Sequence, residues 1–454
     1  MTTEQNKMGT EPIAKLILSM SLPMMLSMLV TALYNIVDSI FVSRIGENAL
    51  TAVSLAFPIQ NLMIAISVGT GVGINAILSM NLGKKDYKAV SRVAKNGIFL
   101  NICGSLVFLI FGLFFSSFYF RSQTDIPEII DYGVQYLNIC CVFSFGLFLE
   151  VTFEKLLQAT GKTLFSMYTQ GLGAVINIIL DPILIFGYFG LPAMGVAGAA
   201  IATVVGQIAS MFLGAFLNIK KNREIDFHFE DLRLHGQTIK EIYSIGIPSI
   251  FMASITSVMT FGMNKILAAF SSTAIAFFGI YFKLQSFVFM PVFGLNNGII
   301  SIISYNYGAK NKDRIIHTIR DANIYAFLIM GIGFLIFQIF PKTLLQFFNA
   351  SQTMYDIGIP ALRLISISYI FAAFSVICTS LFQSMGHAVL SLMVSLIRQL
   401  CVLLPVAWLL SFIGVLNYIW LSFPIAEIIA VLLCVVFLRK VYREKIAILP
   451  GKVL

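Results

Sequence analysis

The sequence predicts an all-α polytopic membrane protein, with about twelve transmembrane helices in two parallel-repeat six-helix lobes around a central cleft. Three observations predict it. The 454 residues are 58% hydrophobic and only 11% charged, whereas an ordinary globular chain carries roughly 25% charged residues. Apolar runs recur from end to end, most of them well beyond the ~10 to 14 residues of a buried soluble helix and close to the ~20 that cross ~30 Å of hydrocarbon. The two halves of the chain also repeat each other at a constant offset. This composition excludes cytosolic enzymes, disordered scaffolds and secreted disulfide frameworks.

Taken in order, the spans are expected at 13–41, 50–80, 95–119, 130–157, 164–187, 194–219, 241–269, 274–304, 317–341, 357–384, 389–411 and 415–438. Span 1 follows a polar lead and is too long for a cleaved signal peptide, with no obvious cleavage site, so it stays in the membrane. It carries Pro23 and a polar stripe of Thr31, Tyr34, Asn35 and Asp38 at helical spacing. Span 2 has Gly69, Gly71 and Gly73; no strand precedes them, so they read as a small-residue packing face rather than a phosphate loop. Span 3 follows a basic loop. Span 4 places Glu150, Glu154 and Gln158 at i, i+4 and i+8 on one face. Span 5 sets Asn177 four residues before Asp181, with Pro182 next to the acid, and span 6 puts Thr203 and Gln207 on one face. Then comes the longest polar connection. Spans 7 and 8 bring Pro248, Lys265 and Lys283; Lys265 lies near a helix end and can snorkel, while Lys283 is expected to face the interior. Spans 9 and 10 are apolar and nearly free of charge, span 11 holds Arg398, and span 12 holds Glu427.

The expected domains are an amino-terminal six-helix lobe (1–220), a cytoplasmic linker (221–240) and a carboxy-terminal six-helix lobe (241–454). The net charge of +9 is no nucleic-acid signal, because the basic residues sit in short loops on one side. Lys84, Lys85, Lys88, Arg92, Lys220, Lys221, Arg223, Arg233, Lys310, Lys312, Arg314, Arg320, Arg439, Lys440, Arg443 and Lys445 mark that side as cytoplasmic, with both termini on it. Six cysteines fall inside apolar spans without metal-ligand spacing, and His228, His235, His317 and His387 lie in or beside loops. No metal site, cofactor or catalytic residue is expected. No nucleophile, base and orienting group come together, so the chain does not read as an enzyme.

A shift of 225 positions aligns Pro23 with Pro248, Gln60 with Gln285, Gly69 with Gly294 and Gly73 with Gly298. The same shift carries Ser79, Asn81, Gly83 and Lys85 onto Ser304, Asn306, Gly308 and Lys310, and Gln158 and Gly161 onto Gln383 and Gly386. An even number of spans per half makes the copies parallel.

A carboxylate at mid-membrane costs about 2.5 to 3.5 kcal/mol on insertion scales, so each one needs a reason. Four of the five candidates, Asp38, Glu150, Glu154 and Asp181, lie in the first half, and Glu427 lies in the second. Asp38 and Asp181 read as a coupled pair that holds a shared proton or a sodium ion, because two adjacent carboxylates cannot both ionise cheaply there. The plainer reading has Asp38 bonding a neighbouring helix and Asp181 serving the bend at Pro182. Glu150 and Glu154 either attract a cationic ligand or, for Glu154, pair with Lys155. Glu427 is expected to pair with Arg398.

Pro23, Val37, Asp38, Phe41, Val42, Gly46, Ala49, Leu50 and Ala52 resemble the opening of the multidrug and toxic compound extrusion (MATE) transporters. Gly195, Gly198, Ala199, Ala200 and Thr203, the repeated Gln158 and Gly161, and Gly414, Trp420, Pro424 and Glu427 extend the likeness over nearly the whole chain. The resemblance, to the prokaryotic branch with DinF-like and MepA-like members, implies a multi-pass protein of the bacterial inner membrane that exports organic, often cationic, drugs. It implies antiport against protons or sodium ions by alternating access, acting as a monomer. It also implies a cation-coupling set of Asp38, Asn177, Asp181 and Thr203. Tyr34, Glu150, Glu154 and Gln158 are then the expected substrate contacts. Spans 7 and 10 offer only Asn264, Lys265, Ser375 and Thr379, so no second-lobe cation site is expected. The alternative is a flippase for lipid-linked oligosaccharides on a related fold.

Overall fold

Long apolar runs with few helix breakers leave the backbone no way to satisfy its polar groups in lipid except as helices. In the computed structural model, which describes residues 6–227, 234–348 and 350–450, eleven helices are long and apolar enough to cross a membrane. A bent pair supplies a twelfth. The protein is a multi-pass membrane protein. His228, Arg233 and the middle of the polar connection lie outside the described residues.

Spans 1, 2 and 3 are the helices Ile13–Ser43, Glu47–Gly83 and Tyr87–Gln123, and span 1 runs on through Pro23. Span 4 departs from the single helix expected. It is two helices, Pro127–Val142 and Phe145–Ala159, bent by 44°. The break falls at Ser144, a fully buried residue whose hydroxyl donates 3.1 Å to the Ser105 carbonyl on span 3. Spans 5 to 10 are Thr163–Phe186, Gly195–Lys221, Gly236–Ala268, Ser272–Gly308, Lys312–Ile339 and Gln352–Ser384. Span 11, Ala388–Ser411, widens into a π-helix over Ile397–Leu403 that periodicity does not reveal, and span 12 is Leu416–Ile446.

The internal repeat extends to individual hydrogen bonds. The Ser79 hydroxyl donates 2.9 Å to the Ala159 carbonyl, and 225 positions on the Ser304 hydroxyl donates 2.9 Å to that of Ser384. Lys85 and Lys310 both take a left-handed backbone, with φ of 61° and 57°, and Gly161 and Gly386 do so with φ of 83° and 80°. Asp86 and Asn311 then cap the next helix of each half, accepting from the amides of Ala89 and Arg314.

The compact units part at Met25 and Ile250, inside spans 1 and 7, not in the polar connection. One unit is Leu26–Ile250; the other is Met1–Met25 with Phe251–Leu454. Glycine decides the packing in each. In the first unit, Gly69 and Gly73 leave room for the backbone of residues 242–250; in the second, Gly294 and Gly298 do the same for Met24, Met25 and Ser21.

Any side chain at Gly73 runs into the Ile242 carbonyl, so Gly73→Ala is expected to destabilise the protein by about 1 to 3 kcal/mol. Gly171→Ala has open space around its new methyl and should be neutral or mildly stabilising, since alanine is the better helix former. Thermal unfolding in detergent compares the two, and equal melting temperatures would remove the close-packing role.

Candidate functional site

The site forms where small residues draw spans 5 and 6 together. Gly173 and Gly206 meet backbone to backbone, Gly198 packs on the Leu184 carbonyl, and the Ser210 hydroxyl donates 2.8 Å to the Thr169 carbonyl. That approach carries Asn177 to Thr203, whose hydroxyl accepts from the Asn177 amide at 3.2 Å. One turn further on, Asp181 is fully buried. Span 1 brings Asp38, half-buried, so that the two carboxyl groups lie within interaction range of each other.

The chemistry of this cluster is one-sided. Both carboxyl oxygens of Asp181, Oδ1 of Asp38 and Oδ1 of Asn177 are buried with no hydrogen-bond donor among the described residues. The Asn177 amide donates to the Thr203 hydroxyl. Four buried acceptors grouped in this way favour a shared proton or a bound cation, because a buried unpaired polar group is costly. The four residues expected from the sequence are therefore adjacent. Tyr34 borders them, within electrostatic reach of Asp38, Asp181 and Glu150.

The glutamates of span 4 diverge. Glu150 is half-buried and lies beside Ser210 and Glu154. Glu154 is buried and bonded internally, accepting from the Gln158 amide and interacting with Gln170 and Lys155. Lys155 donates 3.0 Å to Oε1 of Gln158, whose amide also reaches the Ser166 hydroxyl at 3.2 Å. Gly71 makes room for the Lys155 stem. Glu154 and Gln158, expected as substrate contacts, thus belong to a buried network with partners of its own.

Sequence reasoning missed Tyr136 and Gln60. The Gln60 amide donates 3.1 Å to the Tyr136 hydroxyl, and Tyr136 is within electrostatic reach of Asp38 and Asp181. A glutamine amid the apolar run of span 2 is a signal for the first; nothing in the sequence singles out Tyr136. In the other unit, Arg398 pairs with Glu427 at 2.8 Å, as expected, beside a cavity of about 260 Å³ lined by Tyr281, Phe289 and Gln285. Lys283 is exposed, not interior, because it projects from the outer face of its helix while Tyr281 and Leu284 turn inward.

The MatE family profile matches residues 23–183 and 248–409, once in each half and starting at the two repeated prolines. The chain belongs to the MatE family. It is a membrane transporter, not an enzyme, and the expected MATE resemblance holds. Among curated relatives, the multidrug export protein MepA of Staphylococcus haemolyticus (strain JCSC1435) is 28% identical over 424 residues, covering 93% of this chain and 92% of that one. The MepA of Staphylococcus aureus (strain MRSA252) is 26% identical over 437 residues, 94% of each. Among solved structures, an outward-facing multidrug resistance MATE family transporter of the MOP superfamily superposes with a TM-score of 0.91 at 25% identity, over 97% of this MatE chain and 98% of that one.

Removing one partner of a buried ion pair leaves the other charge uncompensated, at a cost of about 3 to 5 kcal/mol, whereas replacing both is often near neutral. Arg398→Met should therefore melt at a lower temperature than the Arg398→Met/Glu427→Leu double variant. The reverse order would mean that Glu427 does not depend on Arg398.

Proposed function

We propose that this MatE protein exports organic cations across the cell membrane in exchange for protons or sodium ions, with Asp38, Asn177, Asp181 and Thr203 holding the coupling ion. The observation that carries the reading is the donor-free cluster of buried oxygens on spans 1 and 5. A proton bridging the carboxyl groups, or a sodium ion among four oxygens, satisfies acceptors that no described residue serves. The names of the curated relatives, multidrug export proteins, support efflux of drug-like compounds.

Tyr34 and Glu150 are the substrate-facing groups of this reading. Of Glu150 and Glu154, only Glu150 is not enclosed, and it shares Tyr34 with the aspartates, so an organic cation at Glu150 and an inorganic cation at Asp181 influence each other through the same ring. Glu154, Gln158 and Lys155 act behind them by fixing the helix that carries Glu150. Alternating access supplies the cycle: cation entry from outside resets a site emptied of drug. A tenfold gradient provides about 1.4 kcal/mol, and 100 mV adds about 2.3 kcal/mol per charge.

The test is efflux of a fluorescent organic cation from proteoliposomes with the proton and sodium gradients imposed separately. At least one gradient should drive export by the native protein. Asp181→Asn, which keeps the shape but removes the charge, should abolish it while the protein still purifies as a folded monodisperse species. Export at the native rate by that variant rejects the coupling role. Glu150→Gln should raise KM for cationic substrates about tenfold or more and leave neutral ones nearly unaffected; an equal effect on both would deny Glu150 a charge-reading part.

A further inference from the structure

The second unit has a groove at the end of the bundle where its lysines and arginines collect. It runs between spans 9 and 12 and encloses about 490 Å³. Its walls are apolar, built by Ile316, Ile319 and Leu438, and its rim carries Arg320, Arg439 and Arg443. Arg320 is engaged by Asp321 at 3.0 Å. Arg439 and Arg443 are exposed and have no ion-pair partner among the described residues. The chain at this end is held in place: Lys312 donates to the Ala447 carbonyl at 3.5 Å and lies 5.9 Å from the centre of the Tyr442 ring. That tether and the π-turn over Tyr442–Ile446 set Arg443 on the rim rather than leaving it on a loose tail. Glu444 and Asp313 are the other acids nearby in sequence, both exposed.

Below the arginines each helix presents exposed apolar side chains. On span 12, Leu432, Val436, Arg439 and Arg443 follow one another at spacings of three and four, and the two apolar members are exposed. On span 9, Arg320, Ile324 and Leu328 do the same. Two neighbouring helices thus present the same profile, cationic at the end and apolar toward the bilayer middle. A free phosphate would use only the arginines. An amphiphile with an anionic head and an acyl chain uses both.

We infer that the groove between spans 9 and 12 binds an anionic phospholipid, with the headgroup phosphate on Arg439 and Arg443 and one acyl chain along Val436 and Leu432. Guanidinium groups match phosphate geometry through paired N–H donors, and basic pockets between membrane helices favour anionic headgroups.

Protein purified in detergent is titrated with phosphatidylglycerol or with phosphatidylcholine, and bound lipid is counted by native mass spectrometry. The native protein should hold phosphatidylglycerol at least tenfold more tightly. Arg439→Gln/Arg443→Gln should weaken it about thirtyfold, near fivefold per arginine. Arg439→Lys/Arg443→Lys should keep most of the affinity, which separates lost charge from lost fold, and Arg121→Gln in the other unit should change nothing. Equal retention of the two lipids, or an unchanged affinity in the glutamine variant, overturns the assignment. Displacement of the lipid by equimolar glycerophosphoglycerol, the headgroup without chains, would reduce the groove to an anion site and overturn it equally.

Discussion

The organisation of the first unit depends on a constraint of charge in a medium without water. Buried oxygens on Asp38, Asp181 and Asn177 have no hydrogen-bond donor among the described residues. A helical bundle in lipid satisfies its backbone internally, so the side chains alone decide where polarity is left over. Here it is left over as acceptors. The hydroxyls of Thr203 and Tyr136 beside it both act as acceptors, from the amides of Asn177 and Gln60.

Holding such an unfavourable cluster requires tight packing around it, and the small residues provide that. Gly173, Gly198 and Gly206 let spans 5 and 6 approach until backbones touch. Gly71 accommodates the stem of a buried lysine, which together with Gln158 occupies Glu154. The span 4 break at Ser144 separates the part that offers Tyr136 from the part that offers Glu150. A straight helix would hold both at a fixed angle; the bend sets them independently.

The two units use one scaffold for different electrostatics. Their shared hydrogen bonds, left-handed residues and caps recur 225 positions apart, yet the polar chemistry does not. In the first unit the carboxyl groups of Asp38 and Asp181 meet each other, with no ion pair to either among the described residues. In the second, Glu427 meets Arg398, and Ser375, which occupies the repeat position of Glu150, donates to the same carboxylate at 3.4 Å. The pairing sits where span 11 widens into a π-helix, a feature often found at functional positions.

Hydropathy determined the spans, because an apolar run of membrane length has one stable backbone in lipid. The repeat was likewise legible, since its glycines, prolines and turn residues are kept at one offset for backbone reasons. Asp38, Asn177, Asp181 and Thr203 were legible as polar residues inside apolar runs, and it was the family resemblance that grouped them. The tertiary structure alone decided what depends on angles between helices. It broke span 4, set the unit boundaries inside spans 1 and 7, turned Lys283 outward, enclosed Glu154 while leaving Glu150 open, and brought Tyr136 to the aspartates. Periodicity along one helix fixes which residues share a face, but not which face another helix turns toward it, and that relation arises only when all the side chains pack at once.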